Sequence, residues 1–147
     1  MDVLNGVPIA RLTHVLERLV RQLRSVSANG VLSSAAASTL FRLIESGPQR
    51  ITDLAHGEGV SQPAMTQLVD RLVKEGLAVR TAADLDRRAV QVAVTDRGCA
   101  AVEERRAARV AWLEDVLTTL TPDQRRSLTA ALPALEQLVA SRPDTTP

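Results

Sequence analysis

The stretch 50–98 constrains the fold most, because it predicts two short helices joined by a tight turn. Ala55 provides the small residue that two closely crossing helices require. Gly59, four positions later, tolerates a positive φ in the turn, which we place at residues 57–59. Ser61 is the predicted N-cap of the second helix. These spacings predict a helix-turn-helix, although other helical hairpins also produce them.

Two short strands are predicted directly after the second helix. Residues 77–81 and 90–94 each alternate partly between apolar and polar side chains, and the charged loop 84–88 separates them. A helix-turn-helix followed by such a hairpin is the outline of a winged helix-turn-helix, which we assign to residues 33–98. The predicted fold class is therefore mainly α (α+β).

Helices predicted on both sides of this winged part carry apolar faces that a small winged domain does not need to close its core. Residues 8–26 form one such helix, and residues 99–141 include two more. Because apolar faces left over at both chain ends favour a second copy of the chain, we expect a homodimer built from these helices. The chain, 1–147, is then one domain with a disordered tail at residues 142–147.

Local signals predict the helix ends and the buried faces. Ser and Thr hydroxyls accept hydrogen bonds from the first free amides of a helix, and a Gln three positions after a Thr completes a capping box. The predicted N-caps are Ser33 or Ser34, Thr52, Ser61, Thr95 and Thr121, the last of these in a capping box with Gln124. The predicted core contacts are Leu40, Phe41 and Ile44 before the helix-turn-helix, and Val60, Met65 and Leu68 within it.

Composition and motif content exclude several classes of function. With aromatic residues at 1%, few rings are available on which single-stranded nucleic acid could stack. No carboxylate pair, nucleophile with a base or phosphate loop occurs at a usable spacing, so we do not expect an enzyme. His14 and Glu17 share a helical face, but His56 lies elsewhere, so we expect no metal site and no cofactor.

Cysteine usage and hydropathy predict the compartment. The single cysteine, Cys99, cannot form an internal disulfide, which indicates a reducing compartment, and we interpret it as buried and inert. No signal peptide is recognisable, and no apolar stretch approaches the roughly 18 residues that would span a bilayer. We therefore expect a cytoplasmic protein without a membrane partner.

Charge alone does not indicate a nucleic-acid partner. The net charge is +1, and the stretch 50–98 contains seven basic and seven acidic residues. Any DNA binding must therefore depend on where the arginines lie, not on their number. The neutral balance leaves open another interpretation, in which the winged fold binds only protein.

The second helix of the pair carries a polar face that could read double-stranded DNA. Gln pairs with adenine through two hydrogen bonds, Ser and Thr reach bases or phosphates, and a helix N-terminus favours a phosphate oxygen. The candidate DNA-binding residues on this face are Ser61, Gln62, Pro63, Thr66, Gln67 and Arg71. An ordinary solvated helix face would have a similar composition.

The loop 84–88 strengthens the DNA interpretation. Arg87 and Arg88 are predicted at the tip of the hairpin, where an arginine can enter a narrow A·T-rich minor groove. Asp86 lies two residues before Arg88, and this spacing across a tight bend suits an ion pair that fixes the tip. A charged hairpin that serves only solubility is the alternative.

Two segments, SQPAMTQLVDRLVKEGLAVR and DLDRRAVQVAVTDRG, closely resemble the MarR family of bacterial transcription regulators. The resemblance matches Asp86 and Arg88 to the family's Asp-x-Arg pair at the wing tip, with Arg88 as the minor-groove residue. The segment VTDRG at residues 94–98 corresponds to the family's Leu-Thr-x-x-Gly junction. The flanking helices match in number and order, so the resemblance spans nearly the whole chain.

This resemblance implies a homodimer that binds a pseudo-palindromic operator, usually represses, and releases DNA when a small ligand or an oxidant binds. Two departures qualify it. Many relatives carry Arg at the position of Gln67, so the major-groove contact here would be weaker or read a different base. Peroxide-sensing relatives carry a reactive Cys in the first helix, where this chain has none. A low-specificity architectural DNA-binding protein is the main alternative.

Overall fold

The computed structural model describes residues 6–26, 32–83 and 86–140, and the side chains of all of these except residues 83 and 86–89. The chain divides into two compact units, Met1–Arg109 and Val110–Pro147. The predicted tail 142–147 lies outside the described residues.

Six helices and two antiparallel strands form the described part of the chain. In chain order they are α1 (Ile9–Val26), α2 (Ser34–Ser46), α3 (Ile51–Glu58), α4 (Gln62–Lys74), β1 (Ala78–Ala83), β2 (Asp86–Val94), α5 (Asp96–Thr118) and α6 (Pro122–Ala140). This order confirms the predicted fold class. Helices α3 and α4 form the helix-turn-helix, and β1 and β2 form the hairpin, or wing, that follows it.

An apolar core in the first unit packs the helix-turn-helix against α2 and the wing. Its fully buried apolar side chains include Leu40, Leu54, Met65, Val69, Leu72 and Val92. The predicted contacts Leu40 and Met65 are confirmed, and Leu68 packs against this core from a half-buried position. Because the core draws on α2, α3, α4 and both strands, it fixes α4 relative to the wing.

Three predicted core residues are exposed instead. Phe41 and Ile44 keep 50% and 41% of their surface, and Val60 keeps 44%. The buried face of α2 consists of Ala36, Thr39, Leu40 and Leu43. These positions are three or four residues apart and define one helical stripe, and Phe41 and Ile44 lie one position to its side.

Serine residues cap two of the helices, as predicted. The Ser33 hydroxyl accepts a hydrogen bond from the Ala36 amide at 3.2 Å. The Ser61 hydroxyl accepts one from the Ala64 amide at 3.4 Å. Both caps satisfy amides that have no partner within their helix.

The predicted N-cap at Thr52 is wrong. Helix α3 begins at Ile51, and Arg50 is its N-cap without a side-chain capping bond. The Arg50 carbonyl accepts a hydrogen bond from the Leu54 amide at 3.0 Å. Ile51 packs against the apolar core, so the first turn of the helix is held by burial and not by a hydroxyl cap.

The turn between α3 and α4 is shorter than predicted. Gly59 has φ of 65°, so the expected left-handed residue is confirmed, and Ala55 is buried as expected. Gly57 lies inside α3, which continues to Glu58. The helix ends there because Gly59 is left-handed and the Gly59 and Val60 amides bond back to the carbonyls of His56 and Ala55, which caps its last turn.

The wing also differs from the predicted loop 84–88. Strand β2 begins at Asp86, which pairs with Ala83 across the turn, so Arg87 and Arg88 belong to the first residues of β2. Regular pairing ends at Ala82 and Val90, close to the ends of the predicted strands, and one further pair, Ala83 with Asp86, closes the hairpin after an irregularity.

The start of α5 is fixed by Thr95, as predicted. Its hydroxyl accepts a hydrogen bond from the Gly98 amide at 3.1 Å and donates one to the Gly76 carbonyl at 2.7 Å. A β-carbon on Gly98 would overlap the Leu77 carbonyl oxygen, so glycine is required there by close packing. Cys99 was predicted to be buried and is half-buried instead.

The second unit contains the end of α5 and helix α6. The predicted capping box is confirmed, because Thr121 and Gln124 exchange amide-to-side-chain hydrogen bonds of 2.9 and 3.2 Å. Several large apolar side chains of this unit are exposed, namely Val110, Leu113, Val116, Leu128, Leu132, Leu138 and Val139. Within the described residues, no helix is both long enough and apolar enough to cross a membrane.

Candidate nucleic-acid interface

Helix α4 has a buried face and an opposite polar face. Met65, Val69 and Leu72 form the buried face. The candidate DNA-binding residues Ser61, Gln62, Pro63, Gln67 and Arg71 are exposed, and Thr66 is half-buried. The structure therefore brings all six predicted residues of this helix to its accessible side.

Two of these side chains already make hydrogen bonds within the helix. The Ser61 hydroxyl accepts the Ala64 amide as the N-cap, and the Thr66 hydroxyl donates to the Gln62 carbonyl at 2.9 Å. While this bond is made, the Thr66 oxygen can accept a hydrogen bond from DNA with its lone pairs. Among the described residues, nothing bonds to the amide groups of Gln62 or Gln67, which leaves both free for a base edge.

An ion pair connects α4 to the wing. Arg80 Nη2 on β1 donates to Asp70 Oδ1 on α4 at 2.6 Å. Both side chains are well exposed, so the pair contributes little to the stability of the fold. The sequence prediction did not include this contact, because ten residues and a turn separate its partners.

For the wing residues at the start of β2, the structure describes the backbone only. Asp86, Arg87 and Arg88 occupy the first three positions of β2, next to the turn. Their side chains, and with them the predicted ion pair between Asp86 and Arg88, lie outside the described residues.

A cavity of about 580 Å³ lies in the first unit between α1, α2 and the first half of α5. Its lining combines apolar side chains with four arginines and one glutamate. The lining residues are Val20, Leu23, Arg24, Ser34, Ala37, Ser38, Phe41, Val102, Glu103, Arg105, Arg106 and Arg109. The sequence prediction missed this cavity because its walls come from three separate helices, although the charge-dense run 103–109 could have suggested it.

Arg105 anchors the cavity wall to the start of α2. Its Nη1 donates to the Leu32 carbonyl at 2.7 Å, and its Nη2 donates to the Ser34 hydroxyl at 3.2 Å. Burial lowers the pKa of Arg105, and the positive charge of Arg109 lowers it further. The cavity is therefore a site where positive charge is concentrated and where an anion would be favoured.

Comparison with known proteins finds a matching family model and similar transcriptional regulators. The MarR family model matches residues 32–90. An uncharacterised HTH-type transcriptional regulator of Mycobacterium leprae is 33% identical over 126 residues, which cover 86% of this chain and 88% of that protein. The HTH-type transcriptional repressor MdtR of Bacillus subtilis is 31% identical over 102 residues, covering 69% of this chain and 65% of that protein.

Solved structures share the fold. The crystal structure of RV1404 from Mycobacterium tuberculosis has a TM-score of 0.77 and 26% identity, covering 95% of this chain and 99% of that chain. A MepR mutant from S. aureus, bound to an oligodeoxyribonucleotide, has a TM-score of 0.68 and 15% identity, covering 91% and 99% of the two chains. Together with the sequence relatives, these likenesses agree with the helix-turn-helix and wing described above. The chain belongs to the MarR family of winged helix-turn-helix transcriptional regulators.

Proposed function

We propose that this protein is a homodimeric, sequence-specific repressor that binds a pseudo-palindromic operator. The observation that carries the proposal is the exposed polar face at the N-terminal half of α4, where the amides of Gln62 and Gln67 are available. In a major groove, such amides pair with adenine, and the helix N-terminus attracts a phosphate oxygen. The names of two similar proteins support the proposal, since MdtR is a repressor and MepR is bound to an oligodeoxyribonucleotide.

The wing supplies the second contact in this proposal. Arg87 and Arg88 leave the turn at the start of β2, and an arginine at that position would enter the minor groove beside the α4 site. The pair of Asp86 and Arg88 would hold the tip in register. The apolar core that α4 shares with both strands supports a fixed angle between α4 and the wing, so that both grooves would be engaged together.

Dimerisation is proposed for the helices outside the winged part 33–98, namely those at residues 8–26 and 99–141. None of the residues of α1 is buried, although this helix carries Val15, Leu16, Leu19 and Val20. Helix α6 likewise has no buried residue and exposes Leu132 and Leu138. A symmetric dimer would cover these faces and set the two α4 helices roughly 34–36 Å apart, the spacing of successive major grooves.

We further propose that a small-molecule ligand, bound in the cavity between α1, α2 and α5, causes release of the DNA. Apolar residues Leu23, Phe41 and Val102 line this cavity, and the arginines outnumber Glu103. An amphipathic anion is the ligand class that this lining fits, because its carboxylate would pair with guanidinium groups and its apolar part would lie against α1 and α2.

The proposal is tested by selecting binding sites from randomised duplex DNA with the full chain, and then measuring affinity for the selected site and for random DNA at one stated salt concentration. We expect an inverted repeat, two chains per site, and an affinity ratio of at least about 10³. Light scattering in the absence of DNA should report a dimer.

A ratio near one would favour the architectural alternative, in which the chain coats DNA without reading its sequence. Binding of no duplex at any salt concentration would favour a module that binds only protein. Repression would be refuted if expression of the protein raised, instead of lowered, the transcription of a reporter gene controlled by its operator.

A further inference from the structure

Arg42 on α2 reaches the end of α3, just before the turn that leads into α4. Its Nε donates to Glu58 Oε1 at 2.9 Å, and its Nη2 donates to the Gly57 carbonyl at 2.8 Å. The side chains of Arg42 and Glu58 keep 26% and 16% of their surface, so the pair is only partly open to solvent. One guanidinium thus holds both a side chain and a backbone carbonyl of α3.

The absence of a side chain at Gly57 makes this contact possible. A β-carbon on Gly57 would lie 2.8 Å from Arg42 Nη2 and closer still to the centre of the guanidinium. Gly57 is not among the glycines with positive φ, so its backbone conformation does not require glycine. The packing of Arg42 over the helix is therefore the physical reason for a glycine in the interior of α3, where it costs helix stability.

Ser38 adds a third contact from the same face of α2. It lies one helical turn before Arg42, and its hydroxyl donates to Glu58 Oε2 at 2.6 Å. Both oxygens of Glu58 are thus bonded from α2. Ser38 also lines the cavity described above, so one hydrogen bond separates the cavity wall from the end of α3.

The position of these contacts in the chain makes them relevant to DNA reading. The left-handed residue Gly59 follows Glu58 directly, and Ser61 then caps α4. The direction in which α4 leaves the turn therefore depends on where the last residues of α3 are held. Arg42 and Ser38 hold those residues to α2, which belongs to the apolar core.

We propose that Arg42, with Glu58 and Ser38, is a positioning residue for DNA recognition, which sets the orientation of α4 by fixing the end of α3 to α2. This inference rests on the proposed function, because it requires that α4 reads an operator. Arg42 acts through Glu58 and the Gly57 carbonyl and makes no contact with DNA in this proposal.

The test compares Gly57→Ala, Arg42→Ala, Arg42→Lys and Ser38→Ala in the full chain, by operator affinity, random-DNA affinity and thermal unfolding. Gly57→Ala is the most informative variant, since alanine favours a helix but displaces the guanidinium. We expect it to lower operator affinity at least about fivefold, the loss that follows from one weakened base contact. Its random-DNA affinity and unfolding temperature should not fall.

The other variants should lose different amounts of operator affinity, according to which contacts they remove. Arg42→Ala should lose at least as much operator affinity as Gly57→Ala, and Arg42→Lys should not restore it, because an ammonium cannot donate in the fork geometry that reaches both partners. Ser38→Ala should lose less, since Glu58 keeps its bond to Arg42. A double variant with both Gly57→Ala and Arg42→Ala should lose no more operator affinity than Arg42→Ala alone, because both substitutions remove the same contact.

The inference is overturned if Gly57→Ala and Arg42→Ala keep the operator affinity of the unaltered chain while that chain discriminates its operator from random DNA. It is also overturned if each loss of affinity is matched by an equal loss of random-DNA affinity, since a shifted α4 would affect sequence reading first. Failure of the unaltered chain to discriminate any operator would refute the proposed function itself, and so the two failures are distinguishable.

Discussion

The backbone of Gly98, in the first turn of α5, lies directly against the Leu77 carbonyl oxygen at the entrance to β1. No side chain fits between them, and the overlapping atom belongs to the backbone, which cannot move aside as a flexible side chain can. We expect Gly98→Ala to lower the free energy of unfolding by about 1–3 kcal/mol, the cost of overpacking a filled site. Urea denaturation at one fixed protein concentration measures this difference.

Gly57→Ala is the matched control for that substitution. Both glycines lie in helices at ordinary φ, but a β-carbon on Gly57 meets only the end of the Arg42 side chain. Its free energy of unfolding should therefore not fall, in contrast to that of Gly98→Ala. Equal losses at the two positions would contradict the assignment of the Gly98 effect to the Leu77 carbonyl.

Two threonines of the first unit should respond in opposite directions to the same substitution. Thr39 is fully buried on α2, and its hydroxyl has no hydrogen-bond partner within the described part of the chain. The buried hydroxyl gives up its hydrogen bonds to water on folding and gains none in return. Thr39→Val removes it and should raise the free energy of unfolding by about 1 kcal/mol. For a chain of this size that corresponds to a rise of roughly 2–4 °C in Tm.

Thr95→Val should instead lower the free energy of unfolding by about 1–2 kcal/mol. Its hydroxyl caps α5 and also donates to the Gly76 carbonyl, and valine can do neither. Calorimetry on both variants tests the pair together. A loss of stability in Thr39→Val would show that its hydroxyl has a partner, such as a buried water molecule, that matters to the fold.

Arg88→Ala should weaken operator binding by about 1–3 kcal/mol, and by more at sites whose flanking sequence is A·T-rich than at G·C-rich ones. Fluorescence anisotropy with both kinds of flank, at several salt concentrations, measures this. Arg126→Ala is the control, since it removes the same charge from α6, where Arg126 pairs with Asp123 at the surface. If Arg88→Ala lowered the affinity equally for both kinds of flank, the proposed contact of the wing with the minor groove would be wrong.

Leu132→Lys should convert the proposed dimer to a monomer and lower operator affinity, because it places a charge on the exposed apolar face of α6. Ala130→Lys introduces the same side chain two residues away, on the opposite side of the helix, and should leave the dimer intact. Light scattering over a range of protein concentrations distinguishes the two variants. A dimer that survives Leu132→Lys would place the interface on other helices.

Local chemistry explains which parts of the fold could be predicted. The caps at Ser61 and Thr121 depend on residues within three positions of each other, so the sequence contains all of the information they need. Leu40, Phe41 and Ile44 were predicted in the core together, and only Leu40 is buried, because tertiary packing and not local spacing decides which side of α2 faces the core.

In the candidate site, too, local features could be predicted from the sequence and contacts between distant residues could not. The polar face of α4 could be identified from helical spacing alone, whereas the contact between Arg42 and Glu58 joins residues on two different helices and could not be read from the sequence. Arg87 and Arg88 were predicted in a loop and lie at the start of β2. The register passes there from Asp86 to Val90 and gives them no partner on β1, an irregularity that side-chain alternation does not reveal. Their contacts with DNA remain predictions.

Gln49, between α2 and α3, exchanges backbone hydrogen bonds of 3.0 and 2.8 Å with Val92, on the edge of β2 that faces away from β1. Val92 is fully buried, so the hairpin is attached to the body of the unit at this residue. Val92 pairs with Arg80, and three residues lead along β1 from Arg80 to Ala83, the last pair before the turn. At about 3.3 Å per residue, the paired strands extend roughly 10 Å beyond the attachment. The reach of the wing is thus counted in residues from Val92. Inserting one two-residue step into each strand would move the tip outward by about 7 Å without exchanging the two faces, and would give a longer wing on the same scaffold.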